Sequence, residues 1–230
     1  RGSTADLQII RGSTQLSIAV TRGRIPVSSV DASYMIDKST GYIKLNKFTE
    51  NSYEEFMQAM ENLLKQGMQS LIYDLRGNGG GFMNEAVDMA DEFLDGDKLI
   101  VYTAGVNNKK KEYRCKRPGL FEKGKLVLLV DELSASASEV LAGALQDWCR
   151  ATIIGRRTFG KGLVQEQYPL SDGSAIRLTV ARYYSPLGRS IQRSYENGKK
   201  VYMDELWERF NSGELLSADS IRLHTDGKKF

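Results

Sequence analysis

Histidine is almost absent from this sequence. The single one, His224, lies six residues before the last residue, in the polar segment HTDGKKF. Terminal segments of this kind are poorly ordered in most domains. A Ser-His-Asp or Cys-His catalytic centre needs a histidine that is held in a fixed geometry. The sequence therefore argues against both kinds of centre, and an activated nucleophile would need a different base.

Cysteine is also scarce. The two cysteines, Cys115 and Cys149, are too few for a disulfide framework and do not have metal-ligand spacing. Cys149 follows Leu141 and Leu145 at helical spacing. We therefore predict that Cys149 is a buried thiol and that it does not form a bridge to Cys115.

Neither charge nor hydrophobicity points to a nucleic acid or a membrane. The 32 basic and 29 acidic side chains are interspersed and give a net charge of +3, so nucleic-acid binding is not implied. No apolar run approaches the roughly 18 residues of a membrane span. No signal peptide is visible in a chain that begins at Arg1 without Met, which leaves the compartment open. A chain of 230 residues can bury one large core or two small ones.

The first 25 residues predict a small unit of their own. Segments 6–10 and 15–23 have the composition of strands, and Gly12 lies in the turn between them. A strand pair of this size is not stable alone. It is therefore either an edge of the main domain or the remnant of another domain.

After a connector at residues 28–40, predicted strands and helices alternate. Ser52 and Glu55 have capping-box spacing at the start of the first helix. The predicted strands cover residues 41–48, 70–77, 98–105, 125–132, 151–155, 163–170 and 174–184, and the helices cover residues 52–64, 84–94, 137–149 and 203–210. This alternation predicts an α/β protein with a parallel or mixed sheet that is covered by helices.

The segment DLRGNGGG lies between a predicted strand and a predicted helix. A dinucleotide fingerprint would need a third glycine at position 82, and Phe82 stands there. The run Gly79, Gly80 and Gly81 does allow backbone N–H groups to approach a ligand on which negative charge develops. The alternative is a tight strand-to-helix turn with no further role.

The segment DELSASASEVLAGALQDW offers a nucleophile. Ser136 lies where a buried strand turns into a helix, so its hydroxyl stands at the helix N-terminus and the next N–H can serve as an oxyanion donor. Ser136 and Glu139 also have capping-box spacing, so a purely structural helix cap is the alternative. Asp147 follows eleven residues later on nearly the same helix face, about 16 Å along the axis. We expect Asp147 to support the site without contacting Ser136.

The segment GRRTFGKG resembles a Walker A phosphate loop up to its last position. There the motif requires Ser or Thr, but Gly162 is present and a predicted strand follows in place of a helix. We therefore expect Lys161 to be fixed between glycines at a sheet edge, with Gln165 near its amine. In a water-poor site a lysine is neutral and is a competent general base, so a Ser–Lys dyad would activate the hydroxyl.

Three features follow one another along the chain: the serine run SASAS, the aspartate of QDW and the segment TFGKGLVQ. Together they resemble the C-terminal processing (tail-specific) proteases, which are serine–lysine peptidases. The resemblance continues through GYIKLNKF, DLRGNGGG and ARYYSPLGRSIQ and covers roughly residues 20–195. It implies a ClpP/crotonase-like α/β core.

The resemblance also assigns roles to residues of this chain. It implies that Ser136 is the nucleophile, that Lys161 is the general base and that Gln165 orients the lysine. It implies an oxyanion hole formed by the N–H of Ala137 and one N–H of the glycine run, from Gly80 or Gly81. It implies no metal and no cofactor.

Members of this family usually carry a signal or anchor, a helical segment and a PDZ domain before the core. Residues 1–25 resemble only the last strands of such a PDZ domain, and residues 26–195 resemble the protease core. Residues 196–230 form a C-terminal helical extension and a polar tail, and this segment resembles no family that we can assign. The resemblance implies export to the periplasm or cell envelope. It implies protein or peptide substrates with accessible C-termini and no nucleic-acid partner. Whether the protein forms homo-oligomers stays open.

Two other functions remain as alternatives. A crotonase-like acyl-thioester enzyme would share the sheet and the glycine oxyanion hole but has no need of the FGKG lysine. A non-catalytic protein that binds peptide tails would need neither the serine run nor the lysine. The presence of both segments favours the peptidase.

Overall fold

The computed structural model describes residues 2–23 and 28–216, and this part of the chain contains eleven strands and four helices. The strands are β1 (Thr4–Arg11), β2 (Thr14–Thr21), β3 (Val30–Met35), β4 (Thr40–Leu45), β5 (Ser70–Asp74), β6 (Leu99–Ala104), β7 (Lys111–Arg114), β8 (Lys125–Val130), β9 (Thr152–Gly155), β10 (Leu163–Pro169) and β11 (Ala175–Tyr184). The helices are α1 (Ser52–Lys65), α2 (Met83–Asp91), α3 (Ala137–Asp147) and α4 (Gly198–Asn211).

The main sheet has five strands in the order β3-β4-β5-β8-β9. The last four are parallel neighbours, and β3 pairs antiparallel with β4 at the edge. Parallel neighbours need a crossover connection, which α1, α2 and α3 provide or help to provide. The predicted mixed sheet covered by helices is therefore confirmed.

The three crossover helices form one layer, because α2 contacts both α1 and α3. Each helix buries an apolar stripe, as its sequence pattern predicts. Between the helices and the sheet, the rings of Phe56, Tyr73 and Phe93 pack with centroids 5.3 to 6.0 Å apart. This core is what holds the carboxyl ends of the parallel strands in place.

A second, antiparallel sheet has the order β10-β11-β6-β7. Its strand β6 contacts α2 and α3, so this sheet packs against the helical layer. The β10–β11 hairpin extends beyond this contact, and residues 165–179 are exposed. Because β10 begins two residues after Lys161, this hairpin starts at the candidate site.

The first two strands form a sheet of their own. β1 and β2 pair antiparallel from Thr4↔Thr21 to Arg11↔Thr14, around a turn in which Gly12 has a φ of +63°. The predicted strand pair is therefore confirmed. Its interpretation as the end of a PDZ domain, and the domain boundaries that go with it, stay predictions.

Two sequence predictions near the first helix are wrong. The expected connector contains β3, because residues 30–35 find a partner in β4. The expected capping box at Ser52 does not form, since α1 is preceded by Asn51 as its N-cap. The Glu55 carboxylate instead accepts the Ser28 hydroxyl (2.6 Å) and the backbone N–H groups of Ser29 and Val30.

The end of α3 also differs from the prediction. Cys149 is exposed and has a φ of +52°, because the chain leaves the helix there; both cysteines are free, and Cys115 is the buried one. Trp148, the residue before Cys149, is 40% exposed, and its indole N–H donates to the Leu99 carbonyl (2.7 Å). Strand β7 was not predicted, and His224 lies outside the described residues.

Candidate active site

Three candidate segments meet at one edge of the main sheet. They follow β5, β8 and β9, which are parallel neighbours, so their carboxyl ends lie side by side. The Ala135 N–H donates to the Asn78 carbonyl, and the Phe159 N–H donates to the Ser134 carbonyl, each at 3.0 Å. The fold therefore brings together the glycine run, the serine run and the lysine segment.

Ser136 stands at the turn between β8 and α3. It is the N-cap of α3, with a φ of +58° and a ψ of −112°, and it is half-buried. A positive φ is strained for a residue with a side chain, and such strain persists where the surroundings enforce it, often at active sites. A sharp strand-to-helix turn of this kind exposes the hydroxyl of a nucleophile.

The neighbouring serines have structural hydrogen bonds. The hydroxyl of Ser134 donates to the Leu75 carbonyl (2.8 Å), and that of Ser138 donates to the Asn78 carbonyl (2.9 Å). Both serines are fully buried. Of the three serines in SASAS, Ser136 alone is not fully buried, so it stays the candidate nucleophile.

The glycine run packs directly against the serine turn. Gly80 has a φ of +92°, and a Cβ atom at this position would lie 2.5 Å from the Ala135 carbonyl oxygen. The Gly80 N–H donates to Asn78 Oδ1 (2.9 Å), so it is already used. Within residues 2–23 and 28–216, the N–H groups of Gly81 and Ala137 form no hydrogen bond. Gly81 is therefore the better of the two glycine candidates for an oxyanion donor.

Glu139 connects the nucleophile turn to the lysine loop, defined as residues 156–162. One carboxylate oxygen, Oε2, accepts the backbone N–H groups of Ser136 and Lys161, each at 2.8 Å. The other, Oε1, accepts the Thr158 hydroxyl (2.8 Å) and the Gly160 N–H (2.6 Å). Glu139 is buried, and the sequence pattern indicated only its capping role. Nothing in the local sequence signals that it also binds a loop 22 residues away.

The glycines beside Lys161 allow a close approach of residues 191–193. A Cβ atom at Gly160 would lie 2.7 Å from the Arg193 Cβ, and one at Gly162 would lie 2.5 Å from the Gln192 nitrogen. Strand β10 follows, and no helix opens there. The glycines therefore serve chain packing, and the lysine loop lacks the helix N-terminus of a phosphate loop.

The side chain of Lys161 is exposed, unlike the water-poor position that we expected. In the described part of the chain its amine has no hydrogen bond or ion pair, and Gln165 is also exposed, just after a bulge in β10. The structure therefore brings the backbones of Ser136 and Lys161 together without a contact between their functional groups.

Asp147 lies at the opposite end of α3 from Ser136. Its carboxylate is almost fully buried, forms an ion pair with Arg189 and accepts the Leu187 N–H (2.9 Å). It thereby holds the turn that follows β11. It makes no contact with Ser136, as expected from the length of the helix.

A buried carboxylate holds the segment that precedes the glycine run. Asp74 at the end of β5 accepts the Tyr42 hydroxyl (2.7 Å) and the Arg76 guanidinium (2.6 Å). Burial alone would raise the pKa of Asp74, but the hydrogen bonds from Arg76 and Tyr42 outweigh it and lower that pKa below its ordinary value. Burial and the hydrogen bond to Asp74 raise the pKa of Tyr42 to about 12.

A cavity of about 580 Å³ borders the lysine loop. It lies along the outer side of α3, and Glu139, Phe159 and Gly160 form part of its wall. Ser136 does not line it. Within the described residues, this site included, no three His, Cys, Asp or Glu side chains form a group that could hold a metal ion. None of the described helices has the length and apolar character of a membrane span.

The chain is similar in sequence to carboxyl-terminal-processing proteases. The chain is 37% identical over 198 residues to a carboxyl-terminal-processing protease of Synechocystis sp., which covers 84% of this chain and 46% of that protein. It is 34% identical over 219 residues to the carboxy-terminal-processing protease of Bartonella bacilliformis, covering 93% of this chain and 50% of that protein. The chain thus spans about half the length of these relatives.

A solved structure also matches. The photosystem II D1 C-terminal processing protease superposes with a TM-score of 0.65 at 34% identity, over 83% of this chain and 53% of that one. The family model described as peptidase family S41 matches residues 39–198, which contain all three segments of the candidate site. The chain therefore belongs to peptidase family S41.

Proposed function

We propose that this chain carries the catalytic core of a serine endopeptidase of the C-terminal processing type. One observation supports this assignment above the others. The backbone nitrogens of Ser136 and Lys161 each lie 2.8 Å from the same Glu139 oxygen, so they are no more than 5.6 Å apart. A hydroxyl at a strained helix cap and a lysine on the adjoining loop are what a Ser–Lys dyad requires.

In the proposed reaction, the neutral Lys161 amine removes the proton of the Ser136 hydroxyl while the oxygen attacks a peptide carbonyl. The N–H groups of Ala137 and Gly81 bind the oxyanion that forms. The Lys161 ammonium then gives its proton to the leaving amine. Water, deprotonated by the same lysine, hydrolyses the ester and releases Ser136.

The lysine needs a change of surroundings for this role. Its backbone is held by Glu139, but its amine is exposed in this structure. We propose that bound substrate covers the amine, removes water from it and so favours the neutral form. Gln165, on the strand that follows, then orients the amine.

We expect the substrates to be unfolded or tagged polypeptides with accessible C-termini. The names of the relatives refer to carboxyl-terminal processing, which supports this class. By the same resemblance we expect the whole protein to work in the periplasm or cell envelope. If residues 1–25 are the end of a PDZ domain, this chain alone should cleave with little selectivity.

Digestion of casein and of a quenched fluorescent peptide tests the function directly. We expect cleavage by the parent chain and none by Ser136→Ala, whose loss of one polar group should cost only about 1 kcal/mol of stability. Ser134→Ala is the matched control, because it removes a structural hydroxyl two residues away and should leave cleavage measurable. Equal rates for Ser136→Ala and the parent would refute the assignment.

The two alternative functions make different predictions in the same assays. A peptide-tail binding protein would bind the fluorescent peptide without cleaving it. A crotonase-like enzyme would turn over an acyl-thioester and would not react with a fluorophosphonate probe at Ser136. We expect the probe to label Ser136, because an activated serine attacks phosphorus as it attacks a carbonyl.

A further inference from the structure

Helix α4 begins where the family match ends, yet it packs against the lysine loop. The Glu205 carboxylate forms ion pairs with the guanidinium groups of both Arg157 and Arg193. One turn further along, the buried Arg209 donates to the Arg157 carbonyl (3.2 Å). The helix is therefore attached to the first half of the loop through side chain and backbone.

Through Arg193 and Gln192 the same helix reaches the glycines on either side of Lys161. The Arg193 N–H donates to the Gly160 carbonyl (3.0 Å), and the Gly162 N–H donates to Gln192 Oε1 (3.0 Å). Tyr202 of α4 holds both of these residues. Its carbonyl accepts Arg193 Nη2 (2.8 Å), and its hydroxyl is 3.3 Å from Gln192 Nε2.

Lys161 is thus held from two sides. Glu139 binds its backbone from the protein interior, and the layer of Gln192 and Arg193 supports the adjoining glycines from the α4 side. The Arg193 guanidinium lies 4.0 Å from the centre of the Tyr202 ring, and its side chain is only 19% exposed. Contacts with Tyr202 and Glu205 therefore hold the Arg193 guanidinium in place.

The Glu205 carboxylate is shared by two guanidinium groups. The Glu205 side chain is 22% exposed and lies between two guanidinium groups. Charge-assisted hydrogen bonds of this kind are stronger than neutral ones, and removing one partner leaves the remaining charges unpaired. Without Glu205, Arg157 and Arg193 would lose the carboxylate that they share.

We propose that Glu205 is a positioning residue that acts through Arg193 to hold the lysine loop in its position beside Ser136. The proposal rests on the peptidase function proposed above. It assigns a role in the reaction to a helix that lies beyond the family match.

The test compares Glu205→Gln with Glu208→Gln, because Glu208 is an exposed glutamate on the same helix. We expect kcat of Glu205→Gln to fall by about tenfold to about a hundredfold, as small displacements of a catalytic group do. KM should change less than about twofold, since the proposed defect affects the chemical step and not substrate binding. Glu208→Gln should match the parent, and Glu205→Asp should regain part of the loss.

Amide hydrogen exchange provides a readout that does not depend on activity. We expect faster exchange at Gly160, Lys161 and Gly162 in Glu205→Gln but not in Glu208→Gln. Parent-like kcat in Glu205→Gln would overturn the proposal, and so would a loss of kcat with unchanged exchange in the loop. If the parent cleaves nothing, the peptidase function fails, and the exchange data still decide whether Glu205 holds the loop. Should Glu205→Gln not fold, Glu205→Asp is compared with Glu208→Asp in the same measurements.

Discussion

Gly80 lies so close to Ser136 that a Cβ atom at position 80 would be 2.8 Å from the Ser136 Cβ. The same atom would be 2.9 Å from the Ala137 nitrogen, which is the proposed oxyanion donor. The glycine run and the serine turn are thus in direct van der Waals contact. The absence of a side chain at position 80 is a requirement of this contact.

Gly80→Ala should therefore reduce both stability and activity. The new methyl group meets backbone atoms and requires a φ of +92°, a strain that costs about 1 to 3 kcal/mol. We expect peptidase kcat to fall more than about tenfold, because the oxyanion donors are displaced. Gly79→Ala is the control, since a Cβ at position 79 meets nothing within 4 Å. Equal activity of the two variants would contradict the close packing.

Glu139→Gln tests the link between the nucleophile turn and the lysine loop. Each Glu139 oxygen accepts two donors, and an amide has one acceptor oxygen in place of two, so two of the four donors lose their partner. We expect a loss of about 2 to 4 kcal/mol in the free energy of unfolding and a large drop in kcat. Urea unfolding and peptide hydrolysis measure the two effects. Glu61→Gln on the exposed side of α1 should change neither.

Lys161→Arg separates a general base from a simple positive charge. Guanidinium stays protonated in proteins, so it cannot accept the Ser136 proton and the variant should be inactive. If Lys161 bound phosphate, arginine would retain part of the function and ATP would raise the melting temperature. Substantial peptidase activity in the arginine variant would rule out the dyad.

Asp74 should make the fold sensitive to acid. Its pKa is lower in the folded state than its ordinary value of 3.8, so its stabilising contribution is complete above pH 3.8. That contribution is lost as the pH falls below 3.8 through the folded-state pKa. Urea unfolding between pH 6 and pH 2.5 should show a smaller acid loss in Asp74→Asn than in the parent. Asp97→Asn should behave like the parent, because the Asp97 side chain is 97% exposed.

Local patterns were sufficient to predict most elements of the fold and to suggest a chemistry for the candidate site. Leu126, Leu128 and Val130 of β8 are buried, and so are Leu141 and Leu145 of α3, whose helical spacing indicated a core face. These patterns can be recognised in the sequence because periods of two and 3.6 residues involve near neighbours only. The candidate nucleophile and base were also recognisable, since one histidine near the end of the chain left Lys161 as the available partner for a serine.

Features that depend on distant partners could not be predicted in this way. Residues 30–35 form a strand because they pair with β4. Glu55 does not form the expected capping box because its carboxylate accepts hydrogen bonds from Ser28, Ser29 and Val30. Cys149 has the spacing of a core residue but lies just past the last turn of α3, where the chain changes direction. Each outcome was set by which segment packs nearby.

The same distinction applies within the candidate site. The types and spacing of Ser136 and Lys161 are present in the sequence, but their proximity comes from the parallel pairing of β8 with β9. That pairing brings the lysine loop close to Glu139. The Glu139 carboxylate then accepts the backbone N–H groups of Ser136 and Lys161. A buried carboxylate needs donors to offset its desolvation, and only folding supplies donors from a segment 22 residues away.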